Sequence, residues 1–285
     1  MPELPTSHPF AWTDYPWGPA LRCRALAGVA DHCFTTRQPD IPADVASDGE
    51  AWPRVASAFG VTSSEVVRLR QVHGARVVTV RRGEAREAAG TADVRDDADG
   101  VVGNDPGVAL SVRVADCVPI LMADPTSGAV AAVHAGWRGA ASGIVPAAVD
   151  ALRHAFGVRP ADLVAAVGPC IGPCCYRVGA ELRDAFVSAG HAPQDVGRWF
   201  AADAPARAAR GVPGTDPASA ASRPALWLDM WRVVSDHLAQ AGLAPDHVHV
   251  SRLCTSCGRD VFHSFRVDGP AAGRMVAVIR GRPGR

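Results

Sequence analysis

Three short apolar runs in close succession, at residues 108–114, 118–122 and 129–133, most constrain what this chain can become. The first alternates as Val-Ala-Leu-Ser-Val-Arg-Val, the period of a strand, and the other two are apolar throughout, as in strands buried on both faces. The turn ADPTSG separates the last two and supplies Asp, Pro, Ser and Gly, the residues that close tight reversals. From Trp137 the period changes. Ile144, Ala148 and Leu152 fall on one face beside Val145 and Val149, so a helix is predicted over 137–156, stopped by Gly157.

The remaining elements follow the same rules. Residues 51–59, 179–189 and 227–240 have helical character, with Gly60 and Gly190 ending the first two. Residues 65–69 lead into QVHG, and strands are expected at 75–80, 163–167, 248–250 and 275–279. Residues 84–99 and 201–224 read as loops, and the first twenty residues, with Pro at 2, 5, 9, 16 and 19, as a loose arm. Some strands are neighbours and others are separated by helices, so a mixed sheet flanked by helices fits better than a parallel one.

Composition excludes some functions. The 29 Lys and Arg match the 29 Asp and Glu, so no net field draws the chain to nucleic acid or to a membrane surface. No run approaches the roughly 18 apolar residues of a membrane span. The first residues lack the basic and apolar regions of a secretory leader, so a cytoplasmic protein is expected. In that setting the eight cysteines are thiols, ligands or nucleophiles rather than disulfides.

Two residues at the ends of the predicted hairpin can carry chemistry. Cys117 and His134 stand 17 positions apart with the turn between them, so two paired strands would bring thiol and imidazole together. His134 opens HAGWRG, where a strand gives way to a helix and exposed N–H groups favour anions; Arg138 adds a fixed charge suited to phosphate. His73, in RQVHGARV, offers a third ligand, and a His, Cys, His set with an open fourth position is the pattern of a catalytic zinc. The plainer alternatives stand beside this: a buried small Cys, a strand-capping His and a surface Arg. Cys254 and Cys257 form a lone C-x-x-C; Cys174-Cys175 has the wrong spacing to complete a zinc site with it, so both read as structural. GPCIGPCC, at 168–175, must be a rigid turned loop. Phosphate-loop, dinucleotide, nucleophile-elbow and zinc-deaminase signatures are absent.

Together ADCVPILMADP, VAAVHAGWRG, VGPCIGPCCYRVG, RQVHGARVV and CTSCGRDVFHSFRVDG resemble the YfiH/PgeF-like family, also called the laccase-domain or polyphenol oxidase family, from about Cys33 in HCFTTR to Ile279. The resemblance implies a single YfiH-like α+β domain over 21–285, with mixed β-sheets flanked by helices. It implies Zn²⁺ held by His73, Cys117 and His134, with Cu²⁺ the alternative ion, and small-molecule substrates. The implied activity is purine nucleoside phosphorylase, acting on adenosine, inosine and methylthioadenosine, with adenosine deamination beside it. Asp116 is a candidate for orienting a His or a water, and Arg266 for contact with substrate or phosphate. The sequence departs from the family at FHSFRVDG, where Phe265 and Val267 replace a Tyr and an Arg, and in a short region after TTRQPD.

Other classes compete. A copper oxidase would need many His in repeated H-x-H pairs, and only His247-Val-His249 occurs among ten. A hydrolase could use Cys117 as nucleophile and His134 as base on a peptidoglycan precursor. A non-enzymatic editing factor could use the metal only for its fold.

Overall fold

A computed structural model describes residues 4–5, 7–41, 49–83, 94–203 and 225–282. Two mixed sheets lie face to face. One runs, edge to edge, through Phe10–Tyr15, Gly18–Cys23, Ala30–Thr35, Met275–Gly281, Ala109–Val114, Val66–Arg70 and Val94–Asp97. The other runs through Val248–Val250, Val164–Val167, Val118–Ala123, Val130–Ala135, Gly100–Gly103 and Val77–Val80.

Period-two alternation builds the layers. In Met275–Gly281, Met275, Ala277 and Ile279 face the second sheet and meet Leu110, Val112, Leu121 and Ala132. Val276 and Val278 point the other way, toward Trp52 and Val55 of helix Ala51–Ala58. Beyond the second sheet, Ile120, Met122 and Val133 pack against helices Ile144–Phe156 and Met230–Gln240 through Ile144, Leu152, Val234 and Leu238. The α+β class and mixed pairing expected above hold. No described helix is long and apolar enough to cross a membrane.

Four expectations change. Within the expected loose arm, residues 10–20 belong to a hairpin instead, because Phe10–Tyr15 pairs antiparallel along its whole length with Gly18–Cys23. The helix expected over 137–156 is two helices, Trp137–Ala141 and Ile144–Phe156, parted by Gly143 in the left-handed region at φ 84°. Trp227 and Leu228, expected to start a helix, end the strand Ala225–Leu228, which pairs with Arg177–Gly179 and Phe200–Ala201. Of the two expected loops, 84–93 and 204–224 lie outside the described residues, but Val94–Asp97 of the first is a strand, pairing parallel with Val66–Arg70.

The hairpin of Val118–Ala123 and Val130–Ala135 has a defined register. Asp124 closes its turn by accepting from the Ser127 amide at 2.7 Å and hydroxyl at 2.6 Å. Val130 then lies opposite Ala123, and His134 opposite Pro119, two residues from Cys117.

Candidate metal centre

Strand register assembles the centre. Gly100–Gly103 pairs antiparallel with Val130–Ala135, Gly100 opposite Val133, so the next step outward sets Asp99 beside His134. Gly100 is also opposite Val77 of the parallel strand Val77–Val80, whose preceding loop carries His73. Three adjoining strands therefore end at one point, and the hairpin adds Cys117.

His73, Cys117 and His134 present their ligand atoms within 4.8 Å of one another. The Cys117 sulfur is 3.8 Å from His73 Nε2, and the two imidazoles meet edge to face with centroids 4.9 Å apart. A tetrahedral zinc with ordinary bond lengths would separate such a sulfur and nitrogen by about 3.6 Å. The donors fit.

Asp99 is the organising residue that the sequence did not reveal. Its carboxylate, fully buried, lies 2.7 Å from His134 Nδ1, leaving Nε2 to face the centre. It also accepts the backbone N–H groups of Val72, His73 and Gly74 at 3.2, 2.9 and 2.7 Å. Those bonds hold His73 in the left-handed region at φ 61°, a conformation costing a non-glycine residue about 1–3 kcal/mol. Burial alone would raise the Asp99 carboxyl, but the bonds from His134, Gly74 and His73 outweigh it and hold the group below its ordinary value. A carboxylate behind a ligating imidazole fixes its tautomer and orientation.

The charges at the centre are coupled. Burial would push the Cys117 thiol up, yet the nearby imidazoles of His134 and His73 bring it down to about 6. Burial would likewise lower His134, while Cys117 and Asp99 lift it to about 9.

The glycines of HAGWRG make room for this arrangement. A Cβ on Gly136 would stand 2.9 Å from His73 Cδ2 and 3.1 Å from the Cys117 sulfur; one on Gly139 would stand 2.8 Å from the Gly74 carbonyl oxygen.

The centre opens into a pocket of about 480 Å³, within the size range of small-molecule sites. Arg138 and Arg266 line it, as do Trp137, Tyr176 and Phe265. The Arg138 guanidinium lies over the Trp137 ring at 4.4 Å, and that of Arg266 over Tyr176 at 5.3 Å while donating to the Arg177 carbonyl at 2.9 Å. The helix that begins within HAGWRG, Trp137–Ala141, has only five residues, too few for an appreciable dipole at its start.

Asp116, expected to orient a His or a water, does other work. At φ 81° its carboxylate accepts from the Thr255 hydroxyl at 2.5 Å, the Ser264 hydroxyl at 3.1 Å and the Arg266 amide at 2.6 Å. Burial raises it above its ordinary value against the pull of those bonds. It ties the segment carrying Arg266 to the pocket, while the carboxylate bonded to a ligating imidazole is that of Asp99. Nothing marked Asp99, which closes a polar stretch and whose partners lie 25 to 35 positions away.

The family described as multi-copper polyphenol oxidoreductase laccase matches residues 34–282. The chain belongs to this family. Among curated relatives, purine nucleoside phosphorylase YlmD of Geobacillus stearothermophilus is 33% identical over 79% of this chain and 76% of its own. Purine nucleoside phosphorylase PA4543 of Pseudomonas aeruginosa is also 33% identical, over 94% of this chain and 98% of its own. Among solved structures, the Bacillus licheniformis hypothetical protein YfiH superposes with a TM-score of 0.77 at 27% identity, covering 96% of this chain and all of that one. YlmD superposes with a TM-score of 0.76 at 28% identity, with the same coverage.

Proposed function

We propose that this chain is a zinc-dependent purine nucleoside phosphorylase, converting adenosine, inosine or methylthioadenosine plus phosphate to free base and ribose 1-phosphate, and that it also deaminates adenosine. The observation that carries the reading is the convergence of His73, Cys117 and His134, backed by Asp99, in the wall of a pocket lined by four arginines, Arg138 and Arg266 among them, and three aromatic rings. The names of the relatives point the same way.

Zinc held by the three side chains would supply a Lewis-acidic centre with a face open to the pocket. The chain's own residues do the rest. Arg138, propped on Trp137, offers a planar fork for phosphate. Arg266 is pinned through its amide to Asp116 and can hold a phosphate or ribose oxygen across the pocket. Trp137, Tyr176 and Phe265 supply flat apolar surface for a purine. Phosphorolysis needs the phosphate oxygen placed against the ribose C1′, and fixed charge on rigid elements provides that placement. Deamination consumes water instead and yields inosine and ammonia.

Two imidazoles and a thiolate also suit an electron-transfer copper ion. Zinc is preferred because the ligands face a pocket of substrate size and, among the described residues, no three-histidine group stands near them. Incubation with adenosine, with and without phosphate, followed by chromatography, tests the proposal. Adenine formed only with phosphate supports phosphorolysis, and inosine formed in either mixture supports deamination. Unchanged adenosine in both, with metal bound, would refute the proposal.

A further inference from the structure

A second group of side chains, remote in sequence from the His73 set, has the chemistry of a closed metal site. Cys174, Cys175, Cys254 and Cys257 place their sulfurs within 4.8 Å of one another. Cys257 Sγ is 3.5 Å from Cys174 Sγ and 3.4 Å from Cys175 Sγ, far longer than an S–S bond, and all four cysteines are free. A zinc ion bound by four thiolates at about 2.3 Å sets its sulfurs about 3.8 Å apart. The two distances from Cys257 fall a few tenths of an ångström short of that value, and every pair lies within 4.8 Å.

The backbone around the group favours thiolate. The amide of Gly172 donates to Cys254 Sγ at 3.2 Å, and that of Cys257 to the same sulfur at 3.5 Å. Four uncompensated thiols would gain little from being gathered, since S–H is a weak donor and sulfur a weak acceptor. The two turns are also built to present them. Cys175 and Tyr176 both donate their amides to the Gly172 carbonyl, and Gly258 donates to that of Cys254. Between the turns, Cys170 donates to the Leu253 carbonyl at 3.2 Å and Thr255 to that of Cys170 at 3.0 Å, a parallel bridge that sets one pair of cysteines against the other.

The geometry points to a second, structural zinc site formed by Cys174, Cys175, Cys254 and Cys257. With four protein ligands it leaves no position for substrate, so its work is mechanical. It clamps the loop that carries Tyr176 to the segment that carries Thr255, Ser264 and Arg266. Those residues in turn hold Asp116, the neighbour of Cys117. The clamp thus fixes one wall of the pocket without touching it.

Metal counting on the purified full-length chain, made without a metal-affinity tag, tests this. The expected result is two zinc ions per chain. A His73→Ala/His134→Ala variant should keep one, whose X-ray absorption spectrum shows sulfur alone in the first shell. A Cys174→Ser/Cys257→Ser variant should also keep one, with a shell of nitrogen and sulfur. If that variant fails to fold, the histidine variant still decides the matter. A histidine variant that folds but binds no metal would overturn the inference, as would iron in place of zinc or a disulfide among these cysteines in the native protein. The two sites fail separately: metal lost only with the histidines removes this proposal, and metal lost only with the four cysteines removes the catalytic one.

Discussion

The carboxylate of Asp99 lies 2.7 Å from His134 Nδ1, although 35 positions separate the two residues. The same carboxylate receives three consecutive amides from the His73 loop, so one buried side chain positions two of the three ligands. Asp99→Asn should therefore weaken metal binding by about 10- to 100-fold. Competition with a chromophoric chelator measures this. Unchanged affinity in a folded variant would mean that His134 needs no orienting partner.

Gly136→Ala should displace His73 and Cys117 at once, because the added Cβ would sit 2.9 Å from one and 3.1 Å from the other. Neither neighbour can retreat easily, since His73 is held by its amide to Asp99. Zinc at the His73 site and nucleoside turnover should fall together by at least about 10-fold, the cost of a lost or distorted ligand contact. Full zinc content with normal turnover would contradict the geometry.

Arg138→Ala should raise the KM for phosphate by roughly 10- to 100-fold, the worth of a charge-assisted hydrogen bond, and leave the KM for adenosine nearly unchanged. Steady-state kinetics with each substrate varied in turn separates the two. An equal rise in both would place Arg138 outside the phosphate site.

Acid should unfold the protein partly through His32. This fully buried imidazole accepts the Cys23 amide at Nε2, at 2.9 Å, and burial lowers it from 6.5 to about 4. Between those values the unfolded chain binds a proton that the native state refuses, so stability rises with pH across the window and falls as pH drops from about 6.5 to about 4. The contribution is on the order of 3 kcal/mol. Denaturant titrations at pH 7 and pH 4.5 should show a smaller loss for His32→Gln than for the native sequence. Equal losses would assign the acid sensitivity elsewhere.

The sequence made the layered sheet and the His73, Cys117, His134 set legible because both follow from local patterns. The continuous apolar runs on either side of one Asp-Pro turn mark the hairpin that leads Cys117 toward His134. Asp99 was hidden because its role depends on three strand pairings, none of which leaves a local mark. The pairing of Cys174 and Cys175 with Cys254 and Cys257 was missed for a related reason: the spacing within the first pair fits no zinc pattern, and the two turns meet only through the bridge from Cys170 to Cys254. At the N-terminus the prolines masked the alternation of Phe10, Trp12 and Asp14, which pairing with Gly18–Cys23 makes a full strand.

Anomalous diffraction at the zinc edge from crystals of the purified chain tests the central claim most directly. The expected result is a peak bonded to Cys117 Sγ and to one ring nitrogen each of His73 and His134, with His134 Nδ1 still turned toward Asp99. Crystals of protein active on adenosine that show these three side chains with no scatterer between them would contradict it.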